Sequence, residues 1–166
     1  MSVGRRLAGL LGRRLVRRAV VGNRRRPLRR PRRARQAPGL RLGYEPHDDA
    51  LPDPGEIVWT WVPYEDDPSQ GKDRPVLLVG RDGDELVGLA LTSQDHDRDA
   101  GDEARHGRHW VDIGSGDWDS QRRPSEVRVD RLLHIDPHQV RREGATLDRS
   151  RFDAVVAGLR QHLPPS

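Results

Sequence analysis

The chain has 166 residues, of which 33% are apolar and 34% charged, too few apolar residues for one large core along its whole length. It has no cysteine, which excludes disulfides and thiolate metal sites and fits a reducing cytoplasm. The net charge of +4 conceals two opposed parts: residues 1–44 hold fifteen arginines and no Asp or Glu, which leaves fifteen basic against twenty-six acidic side chains in 45–166.

Taken in chain order, residues 1–44 read as a low-complexity basic arm. Its first part can form a helix with one loosely apolar face (Leu11, Leu15, Ala19), and Pro27, Pro31 and Pro38 stop regular structure after it. The arm is a poor secretory signal, because "LAGLLG" is short and is followed at once by Arg13 and Arg14. A disordered arm and an arm that binds phosphate or anionic lipid are both consistent with this composition. No apolar run approaches the ~18–20 residues of a membrane span. Residues 45–54 read as a linker, and 55–164 as the folded domain.

Within that domain short strand-like runs alternate with turns. They are "EIVWTWV" (56–62), "PVLLVG" (75–80), "ELVGLALTS" (85–93), "HWVDIG" (109–114) and "EVRVDRLLHI" (126–135). The turn "RDGD" joins the second and third runs as a hairpin. Asp148 is placed to cap a final helix with one apolar stripe, Phe152, Val155, Val156, Leu159 and Leu163. The expected fold is mainly β with a C-terminal helix: a small, partly open barrel with the helix packed on it.

No phosphate loop and no HExxH pattern is present. Residues 94–109 gather His96, Asp97, Asp99, His106 and His109, but in a Gly- and charge-rich stretch that reads as a surface loop rather than a metal site. "SQGKDRPVLLVG" is more informative: a polar loop with Gln70 and Lys72 delivers Arg74 just before Pro75, which opens an apolar strand. Proline biases Arg74 to extended geometry and cannot donate to a ladder, so the guanidinium stands at a barrel rim. There it either meets an anion bidentately or pairs with Asp66, Asp67 or Asp73. Thr92 and Ser93 end the third run with two hydroxyls, ordinary at a strand end and also able to donate to a phosphate oxygen. Trp59 and Trp61 share a face, read as barrel wall or dimer surface rather than a base-stacking platform. With period two, Arg128 and Asp130 share one face and Val127 and Val129 the other. The pair is either a salt bridge or an acid and a base held over a substrate.

In this order, "PGEIVWTWVP", "SQGKDRPVLLV", "ALTSQ", "VRVDRLLHID" and an amphipathic C-terminal helix resemble the PemK/MazF family of toxins from type II toxin–antitoxin systems. The resemblance covers about residues 54–163 and leaves the arm unmatched. It implies a small SH3-like barrel of the PemK/MazF/CcdB type, a homodimer, and cleavage of single-stranded RNA without metal or other cofactor. The 2′-hydroxyl attacks the adjacent phosphorus and leaves 2′,3′-cyclic phosphate and 5′-hydroxyl ends. The resemblance further implies a cognate antitoxin protein as partner, and promoter DNA as a partner of the toxin–antitoxin complex. It places Arg74, Thr92, Arg128 and Asp130 as catalytic, with Asp130 as base and Arg128 as acid or phosphate stabiliser; Ser93, Gln70 and Lys72 contact substrate. Pro68 stands near the loop histidine of the PemK branch, with His47 and His96 as substitutes. The acidic body is unhelpful to RNA binding and raises the pKa of Asp130. A catalytically weak barrel serving as a binding module is the competing reading.

Overall fold

The computed structural model describes residues 39–93 and 107–164. Strands β1 (Leu40–Leu42), β2 (Glu56–Pro63), β3 (Gly71–Asp82), β4 (Glu85–Thr92), β5 (Trp110–Gly114), β6 (Ser125–Arg128), β7 (Leu133–Ile135) and β8 (Arg142–Thr146) are followed by helix α1 (Arg149–Arg160), and a short 3-10 turn (Pro137–Gln139) precedes β8. They form one curled antiparallel sheet, a half-barrel, in the order β5-β6-β4-β3-β2-β8. β1 pairs with the far end of β3, Leu40 opposite Asp82, and the Gly39 N–H bonds the Asp82 carboxylate at 3.2 Å. β7 pairs with the start of β4. Gly83, at φ +59, opens the two-residue turn between β3 and β4, a conformation that costs an L side chain strain.

The apolar run of β3 is buried on both faces. Leu77 and Val79 join a larger core with Ile57, Leu89, Val127, Val129 and the helix residues Phe152, Val155, Val156 and Leu159. Val76 and Leu78 join a smaller core with Val58, Val62, Leu86, Leu133 and Ile135. The helix forms as its sequence predicts: Asp148 accepts from the Arg151 N–H, and the apolar stripe faces the larger core.

Three differences from the sequence reading shape the site. The strand expected over 126–135 is two strands, because β4 pairs Leu91 and Thr92 with β6 but Leu86, Val87 and Gly88 with β7. The chain bends between them at residues 129–132. The second expected strand starts earlier, at Gly71, so Pro75 lies inside β3 and does not open it. Residues 44–55 are packed on the barrel: the Tyr44 hydroxyl donates to the Leu147 carbonyl at 2.9 Å, and its ring meets Phe152 edge-on with centroids 5.0 Å apart. The fully buried Asp53 takes Arg81 and His47, each at 2.8 Å.

Candidate active site

Pro75 has no N–H to give to β4, and the β3–β4 ladder ends at Val76 opposite Ala90. Beyond it β3 continues on β2 as far as Gly71, and β4 continues on β6. A cleft of about 440 Å³ opens in this fork. Val62, Ala90 and Leu91 form its apolar floor, Tyr64 and Trp110 flank it, and Arg74, Arg108, Arg128 and Arg131 supply positive charge, with Glu65 and Asp66 among the lining acids. The acidic balance of the body therefore reverses locally where the strands part.

Arg74 is half-buried, and its guanidinium has no hydrogen bond or ion pair to another of the described residues. The acids near it in sequence are engaged elsewhere or stand across the cleft. Asp67 accepts from Ser69 and Gln70, Asp73 meets Arg141 at 3.4 Å, and Asp66 lines the cleft. Burial, with Arg131 nearby, holds the Arg74 guanidinium below its ordinary pKa despite the opposing effect of Tyr64.

Arg128 and Asp130 meet, although β6 ends at Arg128 and Asp130 lies in the bend that follows. Asp130 receives Arg128 Nε at 3.0 Å and Nη2 at 2.7 Å, and the His109 N–H at 2.7 Å. Glu65, from the turn between β2 and β3, takes Nη1 at 2.8 Å and Nη2 at 3.0 Å. Burial of Asp130 acts to raise its pKa, but the bonds from Arg128 and His109 outweigh it, and the carboxyl lies below its ordinary value. This corrects the expectation of a raised pKa. The Arg128 guanidinium is held above its ordinary value: burial opposes this, and the two carboxylates override burial. The bond to Arg128 likewise lowers Glu65.

The other expected residues are less central. Thr92 ends β4 two positions beyond Ala90 and so shares its face, half-buried and opposite Glu126, while the exposed Ser93 follows. Gln70 is exposed and its amide is bonded to Asp67 at 2.6 Å. The exposed Lys72 pairs in register with Val62, and neither Gln70 nor Lys72 lines the cleft. The "SQGKD" segment is not a flexible loop, since Ser69 and Gln70 close a hydrogen-bonded turn on Asp67 and the rest belongs to β3. His47 is bonded to Asp53 beside a separate pocket with Asp48, Asp49 and Glu56, and does not reach the cleft. His96, Asp97, Asp99 and His106 lie outside the described residues. His109 stacks on His162 with ring centroids 4.3 Å apart, and the described residues hold no group of three or more metal-ligating side chains. Of the two tryptophans on β2, Trp59 is half-buried and Trp61 is 47% exposed. No helix among the described residues is long and apolar enough to cross a membrane. The sequence reading missed Glu65, Arg131 and Tyr64. The one available signal was their position in the turn before "RP" and just after "VRVD".

Residues 53–163 match the family described as PemK-like, MazF-like toxin of type II toxin-antitoxin system. The chain belongs to this PemK/MazF-like toxin family. No curated protein matches it. Among solved structures, a chain of the MazE–MazF structure from Deinococcus radiodurans is similar at 17% identity and TM-score 0.46, covering 68% of this chain and 96% of that one. The Mycobacterium tuberculosis toxin MazF-mt6 is similar at 18% identity and TM-score 0.42, covering 64% and 94%. In this PemK/MazF-like toxin the family's "RP" step is thus the point where a sheet ladder stops and a cationic cleft begins.

Proposed function

We propose that this toxin is a metal-independent endoribonuclease that cleaves single-stranded RNA in the cleft between β3 and β4. The observation that carries the reading is Arg74, a half-buried guanidinium facing the same cleft as Arg128 with no acid of the described residues bonded to it. Cations in such a setting suit a phosphate whose charge grows as a phosphorane forms. In the reaction the 2′-oxygen forms a bond to phosphorus and the bond from phosphorus to the 5′-oxygen breaks. The 2′-hydroxyl proton goes to Asp130, the leaving oxygen takes a proton from water, and the hydroxide left behind takes the proton back from Asp130. Arg128, gripped by Asp130 beside the cleft, binds the phosphorane charge with Arg74. Asp130, held below its ordinary pKa by Arg128 and the His109 N–H, is a weaker base than a free carboxylate. Thr92 adds a hydroxyl at the rim; Ser93, Gln70 and Lys72 contact RNA outside the cleft.

The partners that follow are a cognate antitoxin covering the cleft, a second copy of the chain as homodimer, and promoter DNA bound by the toxin–antitoxin complex, all in the cytoplasm. The saturation of Arg128 by two carboxylates favours a second reading, a catalytically weak barrel that binds a partner. The test is cleavage of a long single-stranded RNA with EDTA present. Wild type is expected to leave 2′,3′-cyclic phosphate ends, and Arg74→Ala and Asp130→Ala to lose them. Equal cutting by all three proteins refutes the assignment, and no cutting by wild type at low salt favours the binding module.

A further inference from the structure

Arg128 carries five N–H donors. Nε and Nη2 are directed at Asp130, and Nη1 and Nη2 at Glu65, so the planar fork is occupied on both open sides. A carboxylate gripped through two nitrogens has the charge and spacing of two phosphate oxygens. A phosphate arriving with both carboxylates in place adds a third anion to a filled fork, so one carboxylate must leave.

The two carboxylates are unequally held. Asp130 is 11% exposed, is next but one to Arg128 in the chain, and is also fixed by the His109 N–H at 2.7 Å. Glu65 is 51% exposed and comes from a turn 63 residues away in sequence. Its only other ion contact among the described residues is Arg131 Nε at 3.8 Å, and that guanidinium is itself anchored on the Pro63 carbonyl at 2.9 Å. Arg131 therefore offers Glu65 a second resting place one side-chain swing away.

We propose that Glu65 is a positioning residue that fills the phosphate seat of Arg128 in the free protein and exchanges for the scissile phosphate, moving onto Arg131 as RNA enters. This rests on the nuclease reading above. Glu65 keeps Arg128 extended and aligned on Asp130 until substrate arrives, at the cost of competing with it.

The experiment measures fluorescence anisotropy of a single-stranded DNA oligonucleotide, which has no 2′-hydroxyl and cannot be cut by this chemistry. Proteins are wild type, Glu65→Gln, Glu65→Asp and Asp66→Asn. Glu65→Gln is expected to bind about five-fold tighter, the scale of a partly exposed ion pair removed from competition. Glu65→Asp restores the wild-type affinity to within about two-fold, since it keeps the competing charge. Asp66→Asn removes the same charge from the same cleft without touching Arg128, and is expected to gain clearly less. With RNA, KM for Glu65→Gln falls by more than kcat changes. Equal gains from Glu65→Gln and Asp66→Asn, or no gain from Glu65→Gln, overturn the proposal. If wild type cuts RNA but Glu65→Gln gains nothing, the nuclease reading stands without the seat. If Glu65→Gln gains affinity while no protein cuts, the seat stands and the nuclease reading falls.

Discussion

Replacing Asp130 with asparagine tests whether the Arg128–Asp130 pair holds the fold as well as the site. The substitution preserves volume and leaves an acceptor for the His109 N–H, but removes the charge that Arg128 grips at 2.7 and 3.0 Å. Both side chains are mostly buried, at 14% and 11% exposure, so solvent screens the pair little. Hydrogen bonds to charged groups contribute about 1.5–3 kcal/mol, and with Glu65 remaining on Arg128 a net loss of about 2 kcal/mol is expected at neutral pH. For a domain of this size that is a fall in Tm of roughly 8 °C. The pH dependence gives the stronger check. The folded carboxyl of Asp130 is held below its ordinary value. Its stabilisation is therefore full above the unfolded pKa of about 3.9 and is lost as pH falls through the folded value. Urea unfolding of both proteins, stepped from neutral pH down to about pH 3 and below, should show the gap closing in acid. A gap that stays constant through this range refutes the ion-pair account and leaves Asp130 with a role of shape alone.

Other consequences follow from the same geometry. Arg74→Ala should lower cleavage about 10²–10³-fold. In the same variant the salt dependence of RNA affinity, the slope of log K against log salt, should flatten by about 0.7. Arg74→Lys should restore the slope but not the rate, because an ammonium lacks the planar fork; a fully active lysine variant counts against Arg74 as a phosphate clamp. A methyl group on Gly80 would stand 2.2 Å from the Arg41 carbonyl oxygen. Gly80→Ala should therefore displace β1 and speed trypsin cleavage after Arg41, read by mass spectrometry at matched times. Leu89, fully buried in the larger core, should cost about 2–5 kcal/mol on replacement by alanine, measured by urea unfolding.

What the sequence discloses and conceals here follows from the range of each interaction. The helix is legible because its signals are local: a capping Asp148 and a stripe at helical spacing. The β3–β4 hairpin is legible through Gly83, and Arg128 with Asp130 through the period of two. β8 is hidden because "REGAT" has no apolar alternation; it becomes a strand by pairing with β2 at the sheet edge. β1 is three residues within an arginine-rich stretch, ordered by the end of β3. The run 126–135 looks like one strand because Val127, Val129, Leu133 and Ile135 keep a period of two on either side of Arg131, and β4, which pairs its two halves separately, decides that it breaks. Glu65 is the clearest loss: nothing local marks it, and its significance comes from an arginine 63 residues later. Arg74 was readable as a rim arginine, but its freedom from Asp67 and Asp73 depended on a turn and a cross-strand partner that pattern alone does not supply.

β3 also acts as a spacer. Arg74 stands near its start, and Asp82, which bonds Gly39 where the arginine-rich segment joins the barrel, is its last residue. Eight residues of strand separate them, roughly 26 Å at about 3.3 Å per residue. On the proposed nuclease reading, nucleotides held close to that junction would lie far from the scissile bond, and contacts there would be equal before and during the chemical step. Such contacts lower KM and leave kcat untouched. On that reading, a change of affinity at one end of β3 would leave turnover at the other end untouched.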